Sequence, residues 1–204
     1  MGDGIFLRPI DFWPVSQFTV CSESFIPQYG IRKGREAHSM KLTEFNSLSR
    51  TQAAEAVRPA LDIPRWLEAV VDARPYAHHD ALLTTARTAA KPFSAEEIEG
   101  ALSHHPRIGE RAEGDSEEAG LSRAEQAAVD PSDTGVQQRL REGNLAYEER
   151  FGQVFLIRAA GRTPEEILEN LSARMTNDPA TEQGVVADQL RQIALLRLEG
   201  LVTP

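Results

Sequence analysis

The side chains able to move protons or bind metal near neutral pH are few. There are five histidines, His38, His78, His79, His104 and His105, and one cysteine, Cys21. Spacing argues against a metal site. Adjacent histidines on a helix point different ways, neither pair has the i, i+4 separation that puts two imidazoles on one face, and no other Cys or His lies within metal-site spacing. His78 and His79 read as a solvated helix start. His104-His105-Pro106 is more informative. Proline disfavours helical geometry at the residue before it, so a helix approaching this point stops and holds His105 extended at its end. A neutral imidazole there can give or take a proton. The competing reading, which spacing alone favours, is a histidine interacting with the helix dipole.

Two further segments carry polar groups of use. In Ser122-Arg123-Ala124-Glu125-Gln126, Ser122 and Glu125 have the spacing of a capping box, which is a structural role. It does not exclude a functional one, because a helix N-terminus offers free N–H groups to an anion. Gln126 adds an amide that donates and accepts. Near the C-terminus, Val186, Leu190, Ile193 and Arg197 are spaced 4, 3, 4, so Arg197 falls on an apolar stripe. A buried arginine needs a partner, either a protein carboxylate in a structural ion pair or a substrate carboxylate. Phe155-Leu156-Ile157-Arg158-Ala159-Ala160-Gly161-Arg162 is apolar and then turns; alone it reads as core.

The elements that must position these residues are helices. Pro64 suits a first helical position before Arg65-Trp66-Leu67. Ser94 with Glu97, and Thr163 with Glu166, are capping boxes ahead of apolar periods. Asp133 can cap a helix through Val136, Leu140 and Leu145 to about Phe151, ended by Gly152. A last long helix starts near Pro179, capped by Asp178 or Asn177, and runs to about Leu201. No run alternates over strand length, and Asn-Gly and Asp-Gly turns are absent. The pattern predicts an all-α, single compact multi-helix bundle domain of about seven to nine helices, without internal repeats. The longest irregular stretch is predicted from His104 to about Gly120, and a compact domain rarely keeps such a loop without a use.

Residues 1–39 differ. They hold six aromatics (Phe6, Phe12, Trp13, Phe18, Phe25, Tyr29) and the only cysteine, and no helical period runs through them. At Met40 the texture becomes Ala-, Leu- and Glu-rich. The sequence therefore reads as an irregular leader over 1–39 and a helical domain over 40–204. The leader is a flexible tail, translated sequence upstream of a misassigned start, or an arm that packs on a partner.

The chain of 204 residues is long enough to bury a core without staples. With 31 acidic against 22 basic residues its net charge is −9, which argues against a nucleic-acid partner. No apolar run approaches the roughly 20 residues that span a bilayer. The N-terminus lacks the pattern of a signal peptide, and the C-terminus is not a peroxisomal tripeptide. With one cysteine, these features make the cytoplasm the expected location.

Taken in order, the motifs resemble a known family. They are Phe45-Asn46, then His105-Pro106-Arg107-Ile108-Gly109, then Leu121-Ser122-x-x-Glu125-Gln126. Asn144-x-x-Tyr147-x-x-Arg150-Phe151-Gly152-x-x-Phe155-x-Ile157 follows, with Gly161-Arg162-x-x-Glu165-x-Ile167-Leu168, Arg174, Asn177 and Ile193-x-x-x-Arg197-Leu198. Their order and number, over about Met40 to Leu201, resemble 2-oxo-4-hydroxy-4-carboxy-5-ureidoimidazoline (OHCU) decarboxylase, which completes conversion of urate to S-allantoin. The leader has no counterpart in that pattern, and no transthyretin-like hydrolase domain, which some relatives carry, is evident.

The resemblance implies an all-α fold, a homodimer, and decarboxylation of a small ureidoimidazoline without metal or organic cofactor. By matching positions, His105 is the expected catalytic histidine, with Glu125 as its partner in proton management. Pro106, Ser122, Arg123, Ala124, Glu125, Gln126, Phe155, Leu156, Ile157, Arg158, Ala159 and Arg197 are the expected substrate pocket. Arg158 departs from the family pattern, in which this position is often small or uncharged. The substrate explains why no cofactor is expected: a ring C=N beside the carboxylate-bearing carbon accepts the electron pair released with CO2. In this reading His105 is general acid/base at the C4 hydroxyl, and Glu125 holds His105 or a ring nitrogen. Ser122 and Gln126 bind amides, and Arg197 binds an anionic or carbonyl edge. The alternatives are a non-catalytic helical interaction module and a lyase or hydrolase of another ureide.

Overall fold

A computed structural model describes residues 39–103, 105–110, 116–129 and 132–204; the leader expected over 1–39 lies outside them except for Ser39. Among the described residues there are nine helices and one two-stranded sheet. In chain order, β1 (Met40–Lys41) leads into α1 (Leu42–Ser47), α2 (Arg50–Val57), α3 (Pro64–Asp72), α4 (His79–Ala89) and α5 (Ala95–Leu102). Next come α6 (Glu117–Glu125), α7 (Thr134–Phe151), α8 (Pro164–Arg174), α9 (Pro179–Leu201) and β2 (Val202–Thr203).

The helix boundaries follow local chemistry. Pro64 opens α3. Ser94 and Thr163 each accept the N–H of the third helical residue, whose glutamate returns the bond, so α5 and α8 start in full capping boxes. Asp133 caps α7, and Gly152 ends it with φ +68°. Asp178, the first of the two caps foreseen, accepts the N–H groups of Ala180 and Thr181 at the start of α9. Leu145, expected on the apolar period of α7, is instead 57% exposed.

The all-α domain carries one minimal parallel strand pair. Met40 lies opposite Val202 and Lys41 opposite Thr203. Strands of two residues are too short to produce an alternating pattern. His79 is half-buried rather than solvated, because its Nε2 meets the Val202 carbonyl at 2.6 Å. His78 is exposed and caps α4 through its ring.

Two apolar clusters form the interior. One joins α1 to α5 with α9 around Trp66, Phe45, Leu82 and Leu198. The other joins α7 and α8 with Ile108, Val129 and the 155–159 segment. That segment serves both, since Leu156 belongs to the first cluster and Phe155, Ile157 and Ala159 to the second. Among the described residues, no helix is long and apolar enough to cross a membrane.

Candidate active site

α5 ends at Leu102, and His105 lies beyond the helix, in keeping with the proline that follows it. Its backbone N–H donates to Leu102 O at 3.0 Å, and its ring Nδ1 lies 2.8 Å from Ala101 O. A carbonyl can only accept, so Nδ1 carries the proton and Nε2 is the nitrogen available for acid–base work. The histidine is thus oriented by the end of the helix it terminates.

α6 differs from its sequence reading. Its cap is Ser116, whose hydroxyl accepts the Ala119 N–H at 3.1 Å, so the irregular stretch ends before Glu117 rather than near Gly120. The capping box expected at Ser122 and Glu125 is absent. Ser122 sits in the last turn, where main-chain bonds already satisfy the backbone, and its hydroxyl is free to point inward. The helix end presented here is therefore the C-terminal one, and the N-terminal anion site does not form at Ser122.

Arg197, on the buried stripe of α9, reaches this turn. Its Nε and Nη2 donate to the two Glu125 oxygens at 2.7 and 2.9 Å, and Nη2 also donates to Ser122 Oγ at 3.1 Å. Arg197 is 3% exposed. The protein carboxylate foreseen as one of its two possible partners is Glu125. Glu125 is thereby engaged with Arg197, in place of the hydrogen bond to His105 that the sequence reading allowed. Gln126 turns its Oε1 to the Gly109 N–H at 2.9 Å and so ties the loop after His105 to the end of α6.

These side chains surround a cavity of about 20 Å³ lined by His105, Pro106, Ser122, Glu125, Gln126 and Arg197, with Phe155, Leu156, Ile157 and Ala159 as its wall. Ile108 and Ile193 complete it. Both were legible but unselected: Ile108 lies inside the His-Pro-Arg-Ile-Gly motif, and Ile193 stands one turn before Arg197 on the same stripe. Arg123, Ala124 and Arg158 do not line this cavity. Ala124 is exposed. Arg158 takes part through its backbone, with its N–H on Gln189 Oε1 and its carbonyl accepting from Arg162 Nε.

Behind the wall lies a polar knot that sequence reasoning did not anticipate. Glu182, fully buried, accepts Arg174 Nε at 2.8 Å, Arg174 Nη2 at 2.5 Å and Asn177 Nδ2 at 2.7 Å, and also the Tyr147 hydroxyl. Arg174 Nη1 donates to Leu156 O at 2.7 Å, and its guanidinium lies 4.5 Å from the Phe155 ring centre. Burial, then the bond to Glu182, pushes the Tyr147 phenol well above its ordinary range. Glu182 gave no signal because an acidic residue in a helix's first turn is ordinarily a solvated one.

Among the described residues no group of three or more His, Cys, Asp and Glu side chains is arranged to hold a metal ion. Fold and site together define a class: an all-α domain with a tautomer-fixed histidine and a buried carboxylate–guanidinium pair around one small cavity. Comparison with known proteins gives that class its family. A family model described as OHCU decarboxylase matches residues 46–199. The chain is 30% identical over 169 residues to 2-oxo-4-hydroxy-4-carboxy-5-ureidoimidazoline decarboxylase of Amia calva, covering 80% of this chain and 95% of that protein. It is 36% identical over 104 residues to the uric acid degradation bifunctional protein TTL of Arabidopsis thaliana, covering 50% of this chain and 32% of that one. Among solved structures it matches a crystal structure of OHCU decarboxylase in the presence of (S)-allantoin, with a TM-score of 0.57 and 26% identity over 69% of this chain and 92% of that one. The chain belongs to the OHCU decarboxylase family.

Proposed function

We propose that this protein is a carboxy-lyase that converts OHCU to S-allantoin and CO2 in urate degradation, using no cofactor. The observation that carries this reading is the convergence of His105, Glu125 and Arg197, far apart in sequence, on one cavity of an OHCU decarboxylase-family domain.

The chemistry asked of the site is small. The C4–carboxylate bond breaks, and its electron pair forms a C4=C5 bond while the ring C=N nitrogen takes up the negative charge and a proton. The resulting enol loses its C4 hydroxyl proton as C5 gains one, giving allantoin. His105 Nε2 suits removal of the hydroxyl proton, since Nδ1 is held by Ala101 O. Arg197 offers the carboxylate a guanidinium already freed from water. Substrate entering this cavity meets the Glu125–Arg197 pair and opens it by competing for the guanidinium. Arg197 then turns to the substrate and Glu125 is released to hold a ring or ureido N–H. Gln126 offers its NH2, while Ser122 and the backbone of 155–159 supply the remaining polar contacts.

The test is stereochemical. OHCU made enzymatically from urate decays by itself to racemic allantoin. Adding this protein is expected to speed the decay and yield dextrorotatory S-allantoin. A racemic product at an unchanged rate refutes the reading. The protein is further proposed to act as a cytoplasmic homodimer without nucleic-acid or membrane partners. Its net charge of −9 and single cysteine suit this, and light scattering tests the dimer.

A further inference from the structure

We propose that α7 is the frame that aims His105, with Asn144 and Glu148 as positioning residues. The inference rests on reading His105 as the proton-transfer residue. Three consecutive residues of the loop after it are each tied by a side chain from another element. Arg107 Nε and Nη2 donate to the two Glu148 oxygens at 2.5 and 2.8 Å. The Ile108 carbonyl accepts from Asn144 Nδ2 at 2.9 Å. The Gly109 N–H donates to Gln126 Oε1.

Leu140, Asn144 and Glu148 follow one another at i, i+4, so a single face of α7 meets the loop. Gly109 sits on Leu140 with φ +86°, and a Cβ there would lie 3.2 Å from Leu140 Cδ1 and 3.3 Å from Gln137 Oε1.

Packing fixes this loop at Ile108, which is buried in the second apolar cluster, but not on either side of it. A cavity of about 250 Å³ opens beside it, lined by Arg107, Gly109 and Glu110 and by Gln137, Arg141 and Asn144 of α7. Where the loop borders that hollow, its point contacts hold it. The Arg107 and Glu148 side chains are 40% and 23% exposed, so solvent screens part of the attraction, while the bidentate geometry fixes direction. Asn144 is 2% exposed and donates to the Ile108 carbonyl, while its Oδ1 has no hydrogen-bond partner among the described residues. Asn144 opens the family-like motif on this face, and the substrate cavity itself uses none of Leu140, Asn144 and Glu148.

The test compares Glu148→Gln, Asn144→Leu and His105→Asn for OHCU turnover, alongside thermal unfolding and the NMR signal of the His105 ring Cε1–H. Misplacement by about 1 Å can cost about a hundredfold in rate, so kcat is expected to fall about ten- to a hundredfold in the two α7 variants. KM should stay within about twofold, the unfolding midpoint should move by less than about 5 °C, and the His105 signal should shift. The charge-swapped pair Arg107→Glu with Glu148→Arg is expected to recover part of kcat. Wild-type kcat in both α7 variants, or loss only in proportion to unfolded protein, overturns the inference. Near-wild-type kcat in His105→Asn instead overturns the functional reading beneath it.

Discussion

The guanidinium of Arg197 grips both carboxylate oxygens of Glu125, 72 residues away in sequence, and does so with only 3% of the arginine exposed. The pair is both an element of the fold and the polar floor of the candidate active site. Removing the arginine leaves the Glu125 carboxylate, 15% exposed, without its partner, a loss that reaches about 3–5 kcal/mol for a fully buried charge. Arg197→Ala is therefore expected to lose up to about that much in urea unfolding, and to lose allantoin binding even under conditions where it is folded. Retained binding by the folded variant would reduce Arg197 to a structural ion pair.

His105→Asn separates orientation from proton transfer. The asparagine NH2 can replace Nδ1–H on Ala101 O, but nothing replaces Nε2. The expected loss in kcat is about 10²–10⁴-fold, with unfolding free energy changed by less than about 1 kcal/mol. Steady-state kinetics on enzymatically generated OHCU and a urea titration check both halves. Turnover near wild type would remove His105 from the mechanism.

The loop clamp also has a pH signature. The hydrogen bond from Arg107, with its charge beside it, holds the Glu148 carboxyl below the usual range against a smaller opposing effect of burial. A depressed carboxyl stabilises the fold above its unfolded pKa, and that contribution disappears as pH falls through the folded value. Glu97, lowered by Arg65, behaves in the same direction. Wild-type stability is therefore expected to decline on acidification below about pH 4.5, where unfolded carboxyls titrate. Glu148→Gln should decline less steeply over that range, and midpoints measured from pH 3 to 6 compare the two curves.

The knot behind the site wall should be strongly coupled. Arg174→Met and Glu182→Leu each leave a buried ionic partner unmatched, with an expected cost of about 3–5 kcal/mol. The double variant Arg174→Met with Glu182→Leu is expected to cost clearly less than the sum of the separate losses. A double-mutant cycle in urea measures the difference, and simple additivity would contradict coupling through Glu182.

Much of the fold was legible because it depends on short-range rules. Ser94, Thr163, Asp133 and Asp178 mark helix starts through bonds to residues two or three positions away, Pro64 marks one through its fixed φ, and Gly152 marks an end through its own backbone. The stop before Pro106 was legible for the same reason, and with it the placement of His105. The resemblance then named most of the residues that line the cavity. It did not separate those from Arg123, Ala124 and Arg158, which share their segments but not their direction.

Where local signals compete, sequence could not rank them. The spacing of Ser122 and Glu125 signalled a helix start that does not form, and only the folded chain shows that α6 begins at Ser116, six residues earlier. That choice turns Ser122 and Glu125 toward Arg197 and replaces an expected helix N-terminus with a C-terminal turn. By itself the sequence determined an all-helical domain, with a histidine held at a helix end and an arginine on a buried stripe. Tertiary structure alone decided that Glu125 meets Arg197, that Glu182 lies under the wall, and that α7 holds the His105 loop. Each is a contact between side chains distant in the chain, and no periodicity along one helix specifies the face of another.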